Sequence, residues 1–152
     1  MVEQWGTKSS NSYGTNGCRA TDETILLVED EALVRKAMAE VLEQAGYRLT
    51  VAASAAQALA TQRDTAEPFH LLLADIVLPV LSGHELAAQL SLQCPQTRVL
   101  LMSGYFEKSK SCELGCQFDG CLAKPFSIRT LLRRVRAVLD KNHPCQSLVS
   151  SL

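Results

Sequence analysis

The chain has 152 residues, and 15 Lys plus Arg against 16 Asp plus Glu leave a formal charge of −1. That is room for one ordinary domain, and a composition 47% apolar and 20% charged is that of a packed protein, which excludes a disordered tail or a collagen-like repeat. The near-zero charge removes the broad electrostatic case for a nucleic-acid or anionic-membrane binder, and no stretch approaches the roughly 18 apolar residues of a spanning helix.

Residues 1–22 are rich in Ser, Gly, Asn and Thr without a hydrophobic period, so they read as a flexible leader or linker. They also lack the apolar run of a signal peptide, which makes a cytoplasmic protein the expectation. In that reducing compartment the six cysteines are expected as free thiols. Cys112, Cys116 and Cys121 lack CxxC spacing and a nearby His, so a zinc site is disfavoured. The folded core is expected over residues 23–140, and residues 141–152, with Pro144 and a Ser-rich end, read as a tail.

Within the core, Ile25 to Val28, Leu71 to Ala74 and Val99 to Met102 are short, unbroken apolar runs, as expected of strands covered on both faces. After the first run, Val34, Met38, Val41, Leu42 and Ala45 recur at helical spacing, and Gly46 supplies a left-handed stop. A second strand is expected near Tyr47 to Ala52, followed by an Ala-rich helix that Ser54 caps and that runs to about Arg63. Ser82-Gly83-His84-Glu85 has the form of a capping box and opens a helix to about Gln93. Glu107 to Gln117 reads as a short, poorly determined helix, and Gly120 to Ala123 as the fifth strand. Ser127 caps the last helix, with Ile128, Leu131, Leu132, Val135, Val138 and Leu139 as its buried stripe. Strand then helix, five times over, predicts an α/β, flavodoxin-like, doubly wound five-stranded parallel sheet. Ligands of such sheets bind outside the carboxyl ends of the strands, where the winding reverses.

Those ends carry the chemistry. Glu29-Asp30-Glu31 follow the first strand and Asp75 follows the third, on the same rim. At about 4 Å and an effective dielectric of 20, each carboxylate pair repels by roughly 4 kcal/mol, so the group calls for a cation. Mg²⁺ suits two or three acids with no His or Cys, because it takes oxygen ligands and keeps several waters. The rival reading is that acids after a strand merely cap the next helix, a role for which Asp30 is a candidate as well. The fourth strand ends at Ser103 and the fifth at Lys124-Pro125-Phe126. A hydroxyl and an ammonium beside a carboxylate-bound cation are what a transferred phosphoryl group needs, since its charge spreads over three oxygens.

With these motifs the chain resembles the receiver domains of two-component response regulators, chemotaxis-regulator-like, over roughly Thr24 to Asp140. The resemblance rests on Leu27-Val28-Glu29-Asp30-Glu31, Leu73-Ala74-Asp75-Ile76-Val77-Leu78-Pro79, Met102-Ser103-Gly104-Tyr105 and Lys124-Pro125-Phe126. It implies that Asp75 is the phosphoacceptor and takes its phosphoryl group from a phosphohistidine on a histidine kinase or a histidine phosphotransfer protein. It implies further that Asp30 ligates Mg²⁺ directly, Glu29 through water and Val77 through its main-chain carbonyl, and that Ser103 and Lys124 bind the phosphoryl oxygens. A cis bond between Lys124 and Pro125 belongs to the same implication.

Cys121 departs from the family, which usually has an aromatic residue three positions before the lysine that turns inward as the hydroxyl moves. Phosphorylation chemistry should survive this change, with Ser103, Tyr105 and Cys121 as the residues through which the signal leaves. Phosphate beside Mg²⁺ and Lys124 would bias a surface that a downstream protein reads. Leu33, Val34 and Ala37 are candidates for docking a kinase helix or for the core. Arg133, Arg134 and Arg136 read as a basic exposed face rather than as a nucleic-acid contact, and no output module is expected after the last helix. The motif style leans toward receivers attached to hybrid sensor kinases, with a stand-alone regulator as the other reading. The rivals are a receiver-shaped interaction module without phosphorylation, a flavin module, which would need a phosphate loop where the acids stand, and a small phosphatase with an Asp nucleophile. That phosphatase would need a second acid at the position held by Val77.

Overall fold

Three unbroken apolar runs become the three central strands of one sheet, because only there are both faces covered. The computed structural model describes residues 22–104 and 119–141. In chain order its elements are β1 (Thr24–Val28), α1 (Ala32–Gln44), β2 (Arg48–Ala52), α2 (Ala55–Asp64), β3 (Leu71–Asp75), α3 (Gly83–Gln93), β4 (Arg98–Ser103), β5 (Gly120–Ala123) and α4 (Ile128–Asp140). All four strand pairs are parallel and the strand order is β2-β1-β3-β4-β5. The edge strands β2 and β5 are only partly buried, which matches their broken apolar patterns.

Alternation along the strands splits the core into two layers. Leu26, Val28, Leu72, Ala74, Val99 and Leu101 pack with Ala58 of α2 and with Leu86 and Leu90 of α3. Ile25, Leu27, Leu71, Leu73, Leu100 and Met102 pack with Met38 and Leu42 of α1 and with Leu131, Val135 and Val138 of α4. The sheet is thus wound on both sides, as the strand and helix order predicts.

The caps fall where the sequence places them. Ser54 accepts from the Gln57 N–H, Ser127 accepts from the Thr130 N–H, and Ser82 and Glu85 close a reciprocal capping box. Gly46 ends α1 with φ 107. Three expectations are corrected. The N-cap of α1 is Glu31, with no side-chain hydrogen bond, so Asp30 is not spent on capping. Ile128 is exposed, because α4 starts at the rim where the sheet has already ended, and the buried stripe begins one turn later at Leu131. The Arg133, Arg134 and Arg136 face is not uniformly solvated: Arg134 donates to the Cys121 carbonyl at 2.6 Å and Arg136 is bound to Glu23 and Asp140. The leader through residue 21, Tyr105, the helix expected over Glu107–Gln117 with Cys112 and Cys116, and the tail from residue 142 lie outside the described residues. Among those described, no helix is long and apolar enough to cross a membrane.

Candidate functional site

The strand order reverses its winding between β1 and β3, so the crevice at their carboxyl ends is the place a ligand is expected. Main-chain pairing continues one residue past the strands. The Glu29 N–H donates to Ala52 at 3.1 Å, that of Ile76 to Met102 at 2.9 Å and that of Lys124 to Ser103 at 2.8 Å. Glu29, Asp75, Ser103 and Lys124 therefore stand on the sheet itself or on its first paired extension, which holds them more firmly than a free loop would.

Glu29, Asp30 and Asp75 bring carboxylate oxygens within 4.8 Å of one another. Glu29 and Asp75 are buried, at 1% and 6% exposure, and Asp30 is open to solvent. Lys124 reaches across from the end of β5, its Nζ 2.6 Å from Asp75 Oδ2 and 3.3 Å from Glu29 Oε1. The other oxygens are held by main chain: the Val77 N–H donates to Asp75 Oδ1 at 3.1 Å and the Glu31 N–H to Glu29 Oε2 at 3.3 Å. Arg35 donates from Nη1 to the Glu29 carbonyl at 2.8 Å and anchors the same turn from α1.

Burial pushes the Glu29 carboxyl up from its ordinary value; Lys124 opposes this and Asp75 adds to it. Burial alone would push Lys124 down, but its hydrogen bond to Asp75 and the charges of Asp75 and Glu29 win and hold it above its ordinary value. The ammonium is thus firmly charged; Asp75 and Glu29 share it, and Asp30 stands beside them without a cation of its own among the described contacts. An oxygen-only donor set with surplus negative charge and one open acid fits a hard divalent cation such as Mg²⁺.

Two residues of the site were not singled out by the sequence reading. Gly83 was seen only as part of a cap, yet a Cβ there would lie 2.3 Å from the Asp75 carbonyl oxygen and 2.8 Å from Ile76 Cα. The start of α3 is pressed directly on the backbone of the acid, with the Gly83 N–H donating to Ile76 at 2.8 Å. Val80 has φ 69 and is wholly exposed, at the centre of a three-residue turn in which the Leu81 N–H donates to Pro79 at 2.7 Å. The cis Lys124–Pro125 bond is present. Ser103 is fully buried and its hydroxyl lies 3.6 Å from the Cys121 sulfur, not on the acids.

The family model for the response regulator receiver domain matches residues 25–136. The chain belongs to the response regulator receiver domains. This receiver is 34% identical over 116 residues to "Response regulator receiver protein CpdR" of Brucella abortus, covering 76% of this chain and 95% of that protein. It is 33% identical over 119 residues to "Sensor kinase CckA" of the same organism, covering 78% of this chain and only 13% of the kinase. It spans 50% of the transcriptional regulatory protein CpxR of Escherichia coli, at 34% identity. Among solved structures, the receiver domain protein of Methanospirillum hungatei is similar with a TM-score of 0.71 at 30% identity, covering 79% of this chain and 95% of that one. A receiver from Clostridium thermocellum shares the fold, with a TM-score of 0.73 at 18% identity. The family is one of phosphoacceptor signalling modules of two-component systems, and its members generally bind Mg²⁺ at an acidic pocket like that of Glu29, Asp30 and Asp75.

Proposed function

We propose that this receiver takes a phosphoryl group from a phosphohistidine onto Asp75 and relays the event by a conformational change. A carboxylate oxygen of Asp75 attacks phosphorus, the P–N bond breaks, the imidazole nitrogen leaves with the electron pair, and an acyl phosphate is formed. The observation that carries the reading is the Lys124 ammonium bound to Asp75 at 2.6 Å and Glu29 at 3.3 Å at the point of reversed winding. The Val77 N–H fixes the rotation of the Asp75 carboxylate, which keeps the acceptor oriented. Lys124 follows the incoming negative charge from acid to phosphoryl oxygen, and the Ser103 hydroxyl supplies a neutral donor to another. Glu29, Asp30, Asp75 and the Val77 carbonyl would hold Mg²⁺, which when bound supplies neutralisation of the phosphoryl charge.

The donor is a histidine kinase or phosphotransfer protein. Leu33 and Ala37 are exposed on α1 beside the pocket and fit a helical partner, whereas Val34 packs against the core. Acceptance of a phosphoryl group, and not turnover of a substrate, is the activity proposed, and a protein target downstream reads the result in a cytoplasmic setting. Likeness both to a regulator that the match covers to 95% and to a segment of a sensor kinase supports a stand-alone regulator and a hybrid-kinase receiver alike.

Incubation with acetyl phosphate and Mg²⁺ should label the wild type and leave Asp75→Asn unlabelled, with chelation of Mg²⁺ abolishing the wild-type signal. Equal labelling of wild type and Asp75→Asn would remove Asp75 from its role.

A further inference from the structure

The Ser103 hydroxyl is fully buried at the edge of the charged pocket, and a buried hydroxyl without a partner costs free energy. Among the described residues the contact made by its Oγ is the Cys121 sulfur at 3.6 Å. The sheet dictates this meeting. Leu101 is in register with Cys121 and Ser103 with Ala123, so Ser103 and Cys121 lie on one face of adjacent strands as diagonal neighbours. The partner is weak, because a thiol donates and accepts poorly. A phosphoryl oxygen on Asp75 would offer the same hydroxyl a charged acceptor, and hydrogen bonds to charged groups are the stronger class.

We propose that Cys121 is a positioning residue for Ser103: its thiol holds the hydroxyl in the resting receiver, weakly enough that a phosphoryl group on Asp75 draws it away. The strength of the thiol contact then sets how readily the activated arrangement is reached. This rests on Asp75 being the acceptor and concerns only what competes for Ser103. Each conformational state is stabilised in proportion to its own contacts, so weakening the resting contact favours activation and strengthening it opposes activation.

The test uses the full chain with Mg²⁺ and beryllofluoride as the phosphoryl mimic, titrated against wild type, Cys121→Val and Cys121→Ser. Valine fills the place with apolar atoms and removes the partner, so binding should tighten by about two- to fivefold, the worth of a hydrogen bond at the weak end of the neutral range. Serine pairs more strongly with a hydroxyl than a thiol does, so binding should weaken by a similar factor. On a Ser103→Ala background both differences should vanish. A merely structural role for Cys121 would move both variants in the same direction or neither, or would leave the spread intact without Ser103; any of these overturns the proposal. Failure of the wild type to bind beryllofluoride, or binding that persists in Asp75→Asn, instead overturns Asp75 as acceptor and this inference with it.

Discussion

The two ends of the sheet carry clusters of the same kinds of charge to opposite effect. At the amino ends of the strands, Arg136 grips Glu23 through two bonds of 2.8 Å, meets Asp140 at 3.0 Å and lies 5.9 Å over the Tyr47 ring. Those groups are partly open to water, and the guanidinium is driven further to its charged side by the Glu23 hydrogen bonds, against the opposing effect of burial. At the carboxyl ends, two of the three acids are buried, one ammonium is bound to those two and leaves Asp30 without it, and a helix start is forced against the Asp75 backbone. The first cluster ties α4 to β1 and β2 and is complete as it stands. The second is left short of positive charge, which is what makes it a site and not a clamp.

The largest effect expected from this contrast is at Gly83. Gly83→Ala puts a Cβ 2.3 Å from the Asp75 carbonyl, and the obstacle is backbone, which cannot swing aside as a side chain would. Stability should fall by about 2–3 kcal/mol in urea titration, and labelling of Asp75 should fall with it because α3 and the acid must separate. Unchanged labelling would show that the crowding positions nothing. Arg136→Ala tests the other end. Its partners are partly exposed, so screening limits the loss to about 1 kcal/mol despite the paired geometry and the covered Tyr47 ring. Acetyl phosphate labelling should be unchanged, and a loss of labelling at constant stability would break the division between the two ends.

How much of this was legible depends on the range of the interaction. Strands buried on both faces need unbroken apolar runs, so β1, β3 and β4 announced themselves at 25–28, 71–74 and 99–102. The serine caps at 54, 82 and 127 are local chemistry and were equally plain. The acids, Ser103 and Lys124 were found because parallel pairing brings successive strand ends to one rim. The opposite holds for Arg136, whose partner Glu23 is 113 residues away. Its nearby partner Asp140 lies one turn on, and such an i,i+4 pair is equally common on a solvated helix face. Gly83 was hidden for the same reason, since its crowding comes from a strand end and not from its own helix, and Ile128 was misplaced because periodicity does not say where the sheet stops.

The smallest effect is the most discriminating. Asp30 is the open member of the acid group and caps nothing, so Asp30→Asn removes repulsion without orphaning a partner. Water screens an exposed carboxylate, and each repulsive pair is then worth nearer 1 kcal/mol than the value for buried charges. Without Mg²⁺ the variant should melt higher, by about 2–4 °C in a thermal scan. With Mg²⁺ the order should reverse, because a ligand stabilises the folded state only in proportion to its affinity, and the variant has given up one of the acids that bind it. A crossing of the two melting curves as Mg²⁺ is raised is the signature of an acid retained for its metal. Parallel curves would mean that Asp30 is one more surface charge and that the carboxyl end of the sheet is as complete as the amino end.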